Sequence, residues 1–137
     1  MSYHRALRSL KVAVLIGSLM AIGASCSNST GNSGMVPAHN VLIVQGAQTM
    51  GSAAFSPSTY TVSLAAGGKV VWANGDYMGD AYGGSGTTHH LVSNAPLFDT
   101  GDIAPLNSAQ FVFTSTGTFG YHCSIHPSMT GTIKVNP

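Results

Sequence analysis

Beyond residue 35 the apolar residues of this chain do not recur at helical spacing. They come in short runs separated by Gly and Pro: Asn40 to Gln45, Tyr60 to Leu64, Lys69 to Asn74 with the single Trp72, His89 to Ser93, Gln110 to Thr114, Thr118 to Cys123 and Thr132 to Val135. Runs of this length, rich in Val, Ile, Thr and aromatic residues, are strands and not helices. Seven or eight of them with turn residues between predict an all-β fold, an antiparallel Greek-key β-sandwich or barrel. The Gly-rich stretch from Asp76 to Thr88 reads as a long loop that delivers the chain to His89 and His90.

The front of the chain reads differently. Arg5, Arg8 and Lys11 precede an apolar run from Val12 to Ala24, which is short for a bilayer span and has the plan of a secretory signal. Its end, Gly23-Ala24-Ser25-Cys26, resembles the lipobox of bacterial lipoproteins, in which the Cys becomes the lipidated first residue. Gly23 stands where that motif usually carries a large aliphatic residue. Cleavage near Ala24 that leaves Cys26 a free thiol is the rival reading. Residues 27–34 are Ser, Asn, Thr and Gly, a composition that cannot bury enough apolar area to order itself. The expected organisation is a signal peptide over 1–25, a lipid-anchored or disordered tether over 26–36, and one folded domain over 37–137. The protein is expected to be exported, to the periplasm or the outer face of the cell membrane, with a membrane contact only through the anchor.

Of the 137 residues only 7% are charged, against roughly a quarter in ordinary domains. That excludes a nucleic-acid face and a coiled coil. After the leader, four Asp face two Lys, a net charge of −2 with neutral His. A partner would therefore be met through a small apolar patch and not a strongly charged surface. The chain has two Cys, so once Cys26 carries lipid Cys123 has no partner for a disulfide. A lone thiol in an oxidising compartment calls for an occupant, and a metal is the simplest.

The segment Tyr121-His122-Cys123-Ser124-Ile125-His126-Pro127-Ser128-Met129-Thr130-Gly131 supplies the other ligands. Cys123, His126 and Met129 place a thiolate former, an imidazole and a thioether within one loop, a mixture that suits copper. Two His, one Cys and a weak axial Met make a blue-copper electron-transfer centre. The second His must come from elsewhere, and His89 and His90 are both candidates.

With these pieces together, residues 38–136 resemble a cupredoxin of the plastocyanin, pseudoazurin and amicyanin group. Phe55-Ser56-Pro57, Val70-Val71-Trp72-Ala73-Asn74, Phe98-Asp99-Thr100-Gly101 and Phe111-Val112-Phe113 resemble landmarks of that family. The spacing of Met129 after His126 is similar to the short amicyanin loop. The resemblance implies one copper per chain, cycling between Cu(II) and Cu(I), held by His89, Cys123, His126 and Met129. It selects His89 because the family ligand is followed by a polar residue, then an aliphatic, with a Phe-Asp-Ser-Gly-like stretch beginning nine residues on, as Phe98 does here. Choosing His90 would reverse the alternation of the strand. His90 then stands where relatives carry Asn, its backbone amide directed at the Cys123 sulfur while its side chain departs from the pattern. Ile125 likewise replaces a Pro often found between Cys and His.

The function implied is one-electron transfer between a redox donor and a redox acceptor, without catalysis. Two other classes compete. A copper carrier or storage module would use the same ligands but needs an exchangeable site. An enzyme would need a second copper, which His122 beside Cys123 could approach only with further His from another chain.

Overall fold

The computed structural model describes residues 36–80 and 83–137. The expected signal peptide, the Cys26 lipidation site and nearly all of the tether lie outside the described residues. Eleven strands are present among them: β1 (Val41–Ile43), β2 (Phe55–Ser56), β3 (Thr59–Ser63), β4 (Lys69–Asn74), β5 (Tyr77–Asp80), β6 (Gly83–Gly86), β7 (His89–Ser93), β8 (Asp99–Ile103), β9 (Ser108–Val112), β10 (Gly117–Cys123) and β11 (Thr130–Asn136). One sheet runs β2-β1-β4-β9 and the other β3-β11-β10-β7-β8. The only helical pieces described are three short 3-10 turns.

The β-sandwich expected from the sequence is the observed architecture, with two refinements. β1 pairs with β4 and β3 with β11 in parallel, so each sheet is mixed. Both pairs join strands distant in sequence, as a parallel pair requires, because its ends cannot be closed by a tight turn. The second refinement concerns the segment read as a loop after Asp76. There β5 and β6 form an antiparallel ribbon with Met78 opposite Ser85 and Gly79 opposite Gly84. Its glycines carry no alternating apolar signal, so the pairing was hidden from periodicity.

Strand parity decides what faces the core. On β4, Val70 and Trp72 point inward. On β10 Tyr121 and Cys123 do so, and on β11 Ile133 and Val135. Trp72 packs edge-on against Tyr121 with ring centroids 5.6 Å apart, and Phe98 stacks at 5.3 Å from both Trp72 and Phe111. These large rings pack together in the core, where they bury much apolar area beside aliphatic residues such as Ile43, Leu91 and Ile133. Gly131 has no alternative at its position, because the Tyr121 ring fills the space a Cβ would need.

On β7 the same parity sends His89 and Leu91 inward and His90 outward. Opposite β7, β8 carries a bulge: His90 faces Asp102, but Val92 faces Asp99. Gly101, at φ 64°, takes the left-handed conformation this irregularity needs. Residues three apart on a regular strand point to opposite faces. The bulge instead turns both Asp99 and Asp102 toward His90.

Candidate metal centre

The inward alternation of β7 and β10 brings His89 and Cys123 side by side at one end of the sandwich. β10 pairs with β7 through Cys123 opposite Leu91, so the sulfur lies two residues from the register of His89, on the same face. The chain leaves β10 at Cys123 and returns in a tight loop, in which Met129 N–H donates to the His126 carbonyl at 3.0 Å and Cys123 N–H to the Met129 carbonyl at 3.1 Å. That curl faces His126 back toward the sulfur. His89 Nδ1 stands 3.8 Å and His126 Nδ1 3.7 Å from Cys123 Sγ.

The donor atoms of His89, Cys123 and His126 all lie within 4.8 Å of one another. An ion bound trigonally, about 2.0 Å from each nitrogen and about 2.3 Å from sulfur, leaves nitrogen-to-sulfur edges of about 3.7 Å. The group fits one copper ion. Two imidazoles and a thiolate are also the donor types that copper favours over harder cations. Met129 is fully buried beside them, as are His89 and Cys123, while His126 is only half-buried.

The surroundings fix the donors unequally. His90 N–H points at Cys123 Sγ from 3.5 Å. Ser124 N–H donates to the His90 carbonyl at 2.8 Å, so the two ligand-bearing segments are tied through backbone. The His90 side chain does not share in that tie. Its ring nitrogens donate to Asp99 at 2.6 Å and Asp102 at 3.1 Å on the outer face. Partial burial opposes protonation of His90, but the two carboxylates outweigh it and raise its pKa above the ordinary value.

Asp76 was not anticipated from the sequence. It is buried, and its Oδ2 accepts from His89 Nε2 at 2.9 Å while its Oδ1 accepts from Gly46 N–H at 2.7 Å. Asn74 anchors it: the Asn74 Oδ1 accepts from Asp76 N–H, and the Asn74 amide donates to the carbonyls of Thr87 and Ile103. The one hint was its position, an acid two residues past the buried end of β4 in a chain with four acids. Burial pushes the His89 pKa down, against the pull of Asp76 and with the help of His126 nearby. A neutral imidazole is the form that binds metal.

The remaining described histidines stay out of the group. His122 Nδ1 meets Asn94 Oδ1 at 2.8 Å on the outer face of β10, and His39 Nδ1 meets the Pro37 carbonyl at 2.7 Å. A cavity of about 200 Å³ is lined in part by Gln48, Asp76 and, from the β5-β6 ribbon, Met78 and Ser85.

The chain matches no protein-family model and no curated protein. Its similarities are to solved structures. A purple cupredoxin from Nitrosopumilus maritimus superposes with a TM-score of 0.60 at 23% identity, over 72% of this chain and 100% of that one. A Cu-containing nitrite reductase from Thermus scotoductus SA-01 superposes with a TM-score of 0.50 at 28% identity, over 61% of this chain and 20% of that one. The chain thus spans about a fifth of that enzyme's length. The fold is cupredoxin-like, and its end holds a His-Cys-His group able to take one copper ion.

Proposed function

On this cupredoxin-like frame, we propose that the protein is a type 1 copper electron carrier, with His89, Cys123 and His126 as its strong ligands and Met129 as a weak axial one. The observation that carries the reading is the convergence of two imidazole nitrogens on a buried sulfur that also receives a backbone N–H from His90. When bound, copper supplies a one-electron couple between Cu(II) and Cu(I). The protein's part is to keep the donors in one arrangement suited to both states, so that little rearrangement accompanies each transfer.

Each residue has a distinct task. Cys123 binds as thiolate, and the His90 amide stabilises its charge. His89 and Met129, both fully buried, keep water from the ion. Half-buried His126 is the path for electrons, beside Ile125, which is 49% exposed and offers an apolar contact for a redox partner. Sealing of the site from substrate-sized molecules favours electron transfer over catalysis. Retention by donors from two distant segments favours it over metal delivery. Export to the periplasm or the outer face of the cell membrane and lipidation at Cys26 complete the proposal and rest on the leader sequence.

Copper loading tests it. The whole chain should bind one Cu(II) with an intense visible thiolate band and give reversible voltammetry without loss of metal. Cys123→Ala should abolish the band. A wild-type protein that loads copper without such a band, or releases it on reduction, would point to delivery; turnover of nitrite or oxygen would point to an enzyme.

A further inference from the structure

Among the residues whose burial is described, Asp76 is the sole buried acid, and the electron-carrier reading gives it no task. We propose that Asp76 is a positioning residue that holds His89 with Nδ1 toward the metal and biases the centre toward Cu(II), lowering its reduction potential. This rests on the copper reading above.

The orientation follows from the hydrogen bonds. With Nδ1 facing the Cys123 sulfur, the His89 proton belongs on Nε2, where it donates to Asp76 Oδ2. Gly46 N–H donates to the other oxygen. Both oxygens therefore act as acceptors, as those of an ionised carboxylate do. The Asp76 backbone is itself fixed, its N–H donating to Asn74 Oδ1 and its carbonyl accepting from Thr87 N–H. The ring thus has one tautomer and one orientation before any metal arrives. A carboxylate behind a ligating imidazole also makes that imidazole a stronger donor.

The bias follows from charge. No Lys or Arg forms an ion pair with Asp76 among the described residues. A buried thiolate and a buried carboxylate then put two negative charges around the ion. Cu(II) offsets both, whereas Cu(I) leaves one uncompensated where water cannot screen it. Removing the carboxylate charge should shift the preference toward Cu(I). A purely structural clip on the Gly46 turn would change stability and leave that preference alone.

The test compares copper-loaded wild type, Asp76→Asn and Asp76→Glu by spectroelectrochemical titration. Asp76→Asn should retain the thiolate band but lose at least about tenfold in Cu(II)-over-Cu(I) preference, a rise of about 59 mV or more for a one-electron couple. Asp76→Glu, which restores the charge, should lie nearer wild type. A preference in Asp76→Asn within about threefold of wild type overturns the proposal. If the variants do not fold, nitrogen-15 NMR of wild-type Cu(I) protein decides. It should show His89 protonated at Nε2 with a slowly exchanging proton, and a His89 that carries its proton on Nδ1 overturns the assignment. Wild type without a thiolate band defeats the copper reading and this inference with it; a normal band with an unchanged potential in Asp76→Asn defeats this inference alone.

Discussion

His89 and His126 stand side by side at the same sulfur, their ring centroids 5.1 Å apart, and the fold treats them differently. His89 sits on β7, fully buried, its far nitrogen bonded to the Asp76 carboxylate, which also accepts from Gly46 N–H while Asn74 and Thr87 hold the Asp76 backbone. His126 sits on a loop of exposed neighbours, Ile125 and Pro127, closed by two backbone hydrogen bonds. Among the described residues its imidazole touches no hydrogen-bonding partner except the Cys123 sulfur. The rear of the site is part of the core and is assembled by folding. The front is a surface loop held by its own backbone, with exposed side chains on either side of His126. For an electron carrier the division is useful, because the rear resists rearrangement while the front stays open to a partner.

The sharpest way to break this contrast is to remove each imidazole from the metal-free protein. His89→Ala leaves a cavity in the core and strips a buried carboxylate of its donor, so it should cost about 3 kcal/mol or more in urea unfolding. His126→Ala removes a half-exposed loop side chain and should change stability by no more than about 0.5 kcal/mol. Equal losses would mean that the rear is no more built than the front.

A smaller effect comes from acid. The folded-state pKa of His89 is lowered, so folded protein binds fewer protons than unfolded protein once the pH falls below the ordinary imidazole value of about 6.5. The stability this residue contributes is complete above that value and is lost as pH drops toward its lowered pKa. The slope is at most about 1.4 kcal/mol per pH unit for one proton. Urea midpoints of the metal-free protein between pH 7.5 and 4.5 should fall more steeply in wild type than in His89→Ala. Parallel slopes would mean that His89 is not held neutral by its surroundings.

How much of this was legible in the sequence follows the same division. Periodicity exposes what alternates: β4 spans Lys69 to Asn74 and β7 spans His89 to Ser93, the limits that the apolar runs indicate, but alternation alone leaves His89 and His90 both open, and the choice between them comes from the family resemblance. The candidate loop donors Cys123, His126 and Met129 stand out because their chemistry is concentrated in one stretch. Asp76 stayed hidden because its meaning lies in contacts with Gly46 and His89, each at least thirteen positions away, and one Asp after a strand has no pattern of its own. The β5-β6 ribbon stayed hidden because glycine carries no side-chain signal. The bulge in β8 did so because a one-residue irregularity leaves composition unchanged.

The smallest effect concerns the other neighbour on β7. His90 shares a strand with His89, yet its side chain lies on the outer face between Asp99 and Asp102. Its folded-state pKa is raised despite partial burial, so its sign is opposite. The stability it adds is fully present below about pH 6.5 and fades as pH rises through the raised value. Both carboxylates are exposed, so solvent and salt screen the pairs and the contribution is small. His90→Asn should therefore destabilise slightly at pH 6 in low salt, less in high salt, and little at pH 8. The copper spectrum should remain, since the bond to Cys123 comes from the backbone amide and not from the ring. If His90→Asn instead altered the thiolate band, the outer face of β7 would be coupled to the metal as closely as the inner one. The separation between a built rear and a solvent-facing exterior would then have to be redrawn with His90 inside it.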